Sequence, residues 1–130
     1  MKRFFVRGAH AAFGLWIGAV ACVSFVVAPT VFRVLDDNEL AGEVMAPIFR
    51  SVDLFGVAAA ALFAVAAKGR KWRSLLAAVL GAIALVNAAL VAPKAGAEDL
   101  YHRISVGLWG AILVAGIALL LIGPRPSERR

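Results

Sequence analysis

The sequence predicts an all-α, polytopic membrane protein: a four-helix bundle with both termini in the cytoplasm. Three observations lead there. First, 62% of the 130 residues are hydrophobic and only 17% are charged, with a mean hydropathy of +0.87. Soluble domains carry about 45–50% apolar and about 25% charged residues, and at this length a water-soluble fold would have too few polar residues to cover its surface. Second, four stretches reach the roughly 20 apolar residues needed to cross about 30 Å of hydrocarbon. Third, the charges sort by side when four spans are counted. Ten of the 14 Lys and Arg fall on one side and seven of the eight acids on the other. The positive-inside rule then places the basic side in the cytoplasm. Changing the span count by one destroys this sorting. A soluble enzyme, a disordered chain and a disulfide scaffold are excluded, and the single Cys22 has no internal partner.

Span one is Ala9–Ala28, span two Ile48–Ala67, span three Ser74–Ala92 and span four Ile104–Ile122. The runs lack period-two alternation, and four segments are too few to close a barrel. Lipid offers no water to backbone groups, so the runs are helices. Spans one and three both end in Ala-Pro, at Ala28-Pro29 and Ala92-Pro93. Proline lacks a donor and crowds the preceding turn, so each helix kinks or ends there. Phe32 and Leu35 keep an apolar face past the first of these prolines. Pro47 suits the first turn of span two, where its missing N–H costs nothing. Glu98 and Asp99 suit the start of the last helix. A cleaved signal peptide is the alternative for span one, but the run is long for one and Pro29 follows its terminal small residue.

The two halves echo each other. Each has a helix ending in Ala-Pro, a loop, then a helix rich in small residues, and Ser51–Gly56 resembles Ser105–Gly110. Two copies of two spans insert in the same orientation, which gives a pseudo-twofold axis along the membrane normal. Chance similarity among Ala- and Val-rich helices is the competing explanation. Gly14 and Gly18 form a GxxxG extended by His10 and Cys22, and spans two to four carry Gly56, Gly81 and Gly107 with neighbouring alanines. Small residues let helix backbones approach. The net charge of +6 lies mainly on short juxtamembrane segments. Anchoring to anionic membrane lipid accounts for it, and no nucleic-acid partner is needed.

Polar groups within spans are costly and often functional. Here Arg50, Ser51 and Asp53 open span two, Asn87 lies near the outer end of span three, and His102, Arg103 and Ser105 open span four. Arg50 and Asp53 are one turn apart and can pair. Asp53 is the deepest acid, and a buried carboxyl wants a partner, which Arg50, Arg103 or His102 could supply. The candidate polar site is therefore Arg50, Asp53, Asn87, His102, Arg103 and Ser105: either a small outer pocket for a proton, ligand or metal, or an ion-pair knot fixing spans two and four. His10 and His102 lie near opposite ends of their spans, so they do not share one haem iron. No zinc, di-iron or phosphate-loop spacing occurs, and no cofactor is expected. Cys22 is read as a small buried residue.

The segments Leu15-Trp16-Ile17-Gly18 and Val27–Leu35, then Ala41-Gly42-Glu43, Ile48-Phe49 and His102-Arg103-Ile104-Ser105, resemble an uncharacterised, DUF4149-like family of bacterial four-helix membrane proteins. That family looks related to the eukaryotic transmembrane protein 205, a protein linked to cisplatin resistance. The likeness runs from Leu15 to Leu121. It implies a multi-pass protein of the bacterial inner membrane without a settled activity, and singles out Trp16, Gly18, Pro29, Phe32, Leu35, Gly42, Phe49, His102 and Ser105. The family often carries Asn four residues after that Ser, where this chain has Trp109, which removes the amide from that position. The drug-resistance link implies export of soft metals or small molecules, yet one Cys and two Met make no soft-metal relay.

The expected function is a structural or accessory role, binding another membrane component or a second copy of the chain. The alternative is a small transporter or channel for a proton, metal ion or small solute, using the outer polar cluster. A membrane enzyme ranks last, because no nucleophile or metal set is identifiable.

Overall fold

A computed structural model describes residues 2–67, 69–94 and 99–122. Helices α1 (Lys2–Cys22) and α2 (Ala28–Val34) are joined by a π-helical turn, Val23–Val27. Helix α3 is Asn38–Ala66. Helix α4 (Lys71–Val86) runs into a second π turn, Asn87–Val91, and a short 3₁₀ turn, Ala92–Lys94. Helix α5 is Asp99–Leu121. These make four continuous rods long and apolar enough to cross a membrane, Arg3–Val34, Asn38–Ala66, Lys71–Lys94 and Leu100–Leu121. They are spans one to four of an all-α, multi-pass membrane bundle. Glu98 falls outside the described residues. Asp99 does begin α5.

Both Ala-Pro sites behave alike. The Ala28 N–H reaches the Val23 carbonyl and the Ala92 N–H reaches the Asn87 carbonyl, each five residues back. The extra residue in the turn makes room for a proline ring that would otherwise press on the carbonyl four residues before it. Thr30 Oγ1 donates to the Val26 carbonyl at 2.6 Å, supplying a donor beside Pro29. The first helix continues past its proline to Val34, while the π turn of span three is followed by a 3₁₀ turn, Ala92–Lys94.

Span two departs from the sequence expectation. Its helix starts at Asn38, so Pro47 lies inside it rather than in its first turn. The cause is a cap. The Asp37 side chain accepts from the N–H groups of Glu39 and Leu40 at 2.8 and 3.2 Å, which satisfies two donors at the open helix end. From there Ala41, Met45, Phe49 and Asp53 follow at four-residue intervals on one buried face. Pro47 is on the exposed side, and Ser51 Oγ donates to the Pro47 carbonyl at 2.8 Å.

The acidic turn at 35–37 marks one end of the bundle, called here the acidic end; the link between α3 and α4 marks the basic end. The core nearer the basic end is aromatic. Phe13 packs edge-on to Trp16, with centroids 5.5 Å apart, and against Phe63 at 4.6 Å. His10 lies over Phe63 at 4.7 Å, and its Nδ1 is 2.8 Å from the Val6 carbonyl. Arg73 is only 4% exposed. It is therefore not one of the lipid-anchoring cations the charge count made it. Its guanidinium lies 5.3 Å from the Phe63 ring centre and donates to the Leu119 carbonyl at 3.0 Å. That carbonyl belongs to the last turn of α5, where an orphaned acceptor benefits from a cation.

The small residues that matter are not the expected GxxxG. A Cβ on Gly14, Gly18 or Gly107 would meet nothing within 4 Å. Gly56 instead lies against the Trp16 indole, Gly116 against Ile17, and a Cβ on Gly81 would sit 3.0 Å from that of Ala60. Cys22, extending the Gly14–Gly18 stripe, is exposed and not buried. Inserting a methyl between Gly56 and Trp16 forces one of two helices to move. Gly56→Ala is expected to lower stability by about 1–3 kcal/mol. Gly14→Ala and Gly18→Ala should leave it unchanged or raise it by up to about 1 kcal/mol. Unfolding in mild detergent, followed by circular dichroism, compares the three.

Candidate functional site

Asp53 has no solvent exposure. Asn87 Nδ2 donates to its Oδ2 at 2.6 Å, and Trp109 Nε1 donates to its Oδ1 at 2.9 Å. Three spans thus meet on one carboxyl. The first donor sits at the start of the second π turn, and the second lies four residues beyond Ser105 on α5. The expected partners are elsewhere. Arg50 and Arg103 are exposed, and His102 packs on Phe32 with centroids 5.8 Å apart. The knot is built from neutral donors rather than an ion pair, and it holds spans two, three and four. Neutral N–H groups compensate a buried carboxyl without requiring a second charge to be dehydrated. Trp109 also corrects the sequence reading: its indole N–H fills the polar role that the missing amide had left open.

Among the described residues, two buried polar atoms beside this network lack partners, Asn87 Oδ1 and Trp16 Nε1. Trp16 stands against Gly56, three residues along from Asp53.

On the other side of Trp109 lies a cavity of about 260 Å³. It is lined by Ser24, Ala28, Pro29, Phe32, Phe49, His102, Ser105, Val106 and Trp109. Span one contributes the Ser24–Phe32 wall at its π turn, and span four contributes His102, Ser105, Val106 and Trp109 from one helical face. Phe49 meets Trp109 edge-on, with centroids 4.8 Å apart and planes at 76°. Pro29 and Val106 are exposed, Val106 by 56%, so the cavity opens on the bundle's outer surface between spans one and four. Ser105 is 97% buried (3% exposed). Thr30 and Ser51 bond back to their own helices. Among the described residues, by contrast, the side chains of Ser24, His102 and Ser105 make no hydrogen bond.

The six polar candidates therefore divide. Asp53 and Asn87 form the knot, His102 and Ser105 face the cavity, and Arg50 and Arg103 are exposed. Sequence reasoning missed Trp109 and Ser24. By family likeness Trp109 counts as the loss of an amide, although indole carries a donor. Five residues singled out by family likeness, Pro29, Phe32, Phe49, His102 and Ser105, line the cavity. Trp16 is in the core, Gly18 is exposed, and Leu35 and Gly42 flank the turn at the acidic end, half-buried. Among the described residues, no three His, Cys, Asp or Glu side chains are grouped to hold a metal ion.

These features define a multi-pass membrane four-helix bundle with a buried polar knot and a cavity opening at its surface. A family model described as a domain of unknown function (DUF4149) matches residues 11–100, more than half of the chain, and the protein belongs to that family. Comparison with curated proteins and with solved structures gives no match.

The knot predicts an order of tolerance. Trp109→Phe leaves one carboxyl oxygen without its donor and should cost about 1–3 kcal/mol. Asp53→Leu strands both donors and should cost about 2–6 kcal/mol, twice the penalty for one unsatisfied group. Asp53→Asn should be milder than either, because Asn87 can turn its free Oδ1 toward the new amide. Detergent unfolding of the three variants gives the ranking, and an Asp53→Asn protein as unstable as Asp53→Leu would contradict it.

Proposed function

We propose that this protein is an accessory component of the bacterial inner membrane that holds another membrane component, an amphiphile, between spans one and four. The observation that carries this reading is the set of unpartnered side chains, Ser24, His102 and Ser105, on a cavity otherwise lined by Ala, Pro, Val, Phe and Trp. A mostly apolar pocket with a few convergent polar groups is the usual form of a small-molecule site. Both termini are cytoplasmic in this proposal, by the sorting of Lys and Arg, and the cavity then faces the outer half of the bilayer. A two-helix repeat belongs to the same reading, supported by the paired π turns that each end at Ala-Pro. The relation to the eukaryotic transmembrane protein 205 is part of it too, and a site of this lining favours small molecules over soft metal ions.

The competing reading, a small transporter, draws on the buried Asp53 and Asn87 pair. Asp53 does not line the cavity, and its two oxygens are occupied by protein donors.

Native mass spectrometry of the full chain, released from mild detergent, tests the proposal. A stoichiometric organic mass is expected on the wild type and should be lost in Ser105→Leu, which removes a hydroxyl and narrows the cavity. A bare wild-type chain would overturn the reading. Proton or solute flux in proteoliposomes, present in the wild type and abolished by Asp53→Asn, would establish the transporter instead. We expect no flux from either protein.

A further inference from the structure

We infer that the ligand of this cavity is a lipid quinone: a flat ring head with carbonyl oxygens on opposite edges and an apolar tail. This rests on the amphiphile reading above and narrows it to one chemistry.

The polar groups come from two walls. Ser24 stands on span one, while His102 and Ser105 stand on span four. A ligand that satisfies both walls needs polar atoms on two edges. A fatty acid or fatty alcohol has one polar end and leaves one wall unpaired. Serine hydroxyls donate, and a neutral imidazole has one N–H, so all three side chains can donate to carbonyl oxygens. Ser105 is 97% buried (3% exposed) and makes no hydrogen bond among the described residues, so its hydroxyl is free to donate to a ligand oxygen. Among the described residues, no Lys or Arg lines the cavity, so nothing there matches the charge of a phosphate head group.

Phe32, Phe49 and Trp109 supply aromatic surface on all three contributing spans, and aromatic rings favour offset or edge contacts with another flat ring. The volume, about 260 Å³, lies below the roughly 300–1,000 Å³ of most drug-sized pockets. It has room for a small flat ring head, with the tail outside it. The tail leaves past Pro29 and Val106, both exposed at the lipid-facing mouth.

The probe is a short-tailed benzoquinone titrated into the full-length protein in detergent, read by quenching of tryptophan fluorescence, since Trp109 is part of the wall. Saturable quenching is expected in the wild type. His102→Gln and Ser105→Ala should each weaken it by about 3- to 10-fold, the value of one neutral hydrogen bond. Ser105→Leu should abolish the saturable part and leave only quenching by quinone dissolved in the micelle. Circular dichroism checks that each variant is folded, and Ser105→Ala removes only a hydroxyl. Quenching that never saturates, or is equal in wild type and all folded variants, overturns the quinone assignment. Decanol, decanoic acid and an anionic phospholipid are run in parallel by native mass spectrometry. If one of these is retained and the quinone is not, the quinone inference fails while the amphiphile site stands. If none of the four is retained, both fail.

Discussion

A carboxyl group in an apolar medium must find donors or destabilise the fold around it, and most of this bundle's arrangement around Asp53 follows from that requirement. Asn87 and Trp109 each approach one oxygen, at 2.6 and 2.9 Å, from two other spans. Interhelical hydrogen bonds in membranes average only about 0.6 kcal/mol. That figure describes pairs whose partners can find substitutes. Asp53 has no exposure, so a carboxyl oxygen that loses its donor here cannot turn to solvent. The knot thus sets the relative rotation of spans two, three and four more firmly than the close packing of alanines could alone.

Proline and π geometry decide where those groups can stand. The second π turn begins at Asn87, and the first contains Ser24. An extra residue per turn shifts the facing of everything beyond it. In span three the residue at the start of the wide turn meets Asp53. In span one the wide turn forms a cavity wall. The same local answer to an Ala-Pro step therefore serves the polar core in one half of the chain and an open site in the other.

Fold class was legible because it depends on quantities that sum along the chain: apolar length and the sidedness of charge. That the helices are interrupted at Pro29 and Pro93 was legible from covalent structure, but the form of the interruption, a π turn before each proline, was not. The start of span two was not, since apolarity drew attention to Ile48 while the Asp37 cap and the Ala41–Met45–Phe49 face had already begun the helix. The partners of Asp53 were not legible either. Charge complementarity pointed to Arg50, His102 and Arg103, but two of these turn outward and the third faces a cavity. Which side of a helix a residue occupies depends on packing angles that one sequence does not state. The glycines show the same limit. The GxxxG spacing of Gly14 and Gly18 faces outward, and the isolated Gly56 is the one pressed against a tryptophan.

Trp109 joins the two halves of the site. Its N–H is committed to Asp53, and its ring forms cavity wall against Phe49. An asparagine at this position could make the bond but would leave the wall without its largest apolar surface. A phenylalanine would keep the wall and strand the carboxyl. Indole meets both demands, with an apolar body and one polar edge. The consequence is rigidity. Any molecule in the cavity rests on a side chain that is itself anchored in the core, so occupancy is read by a fixed surface and not by a swinging one. A transport cycle needs Asp53 to open alternately to two sides, and each opening would have to break the bond that holds this wall in place. The proposed binding role needs neither step, and for that reason we propose holding over moving.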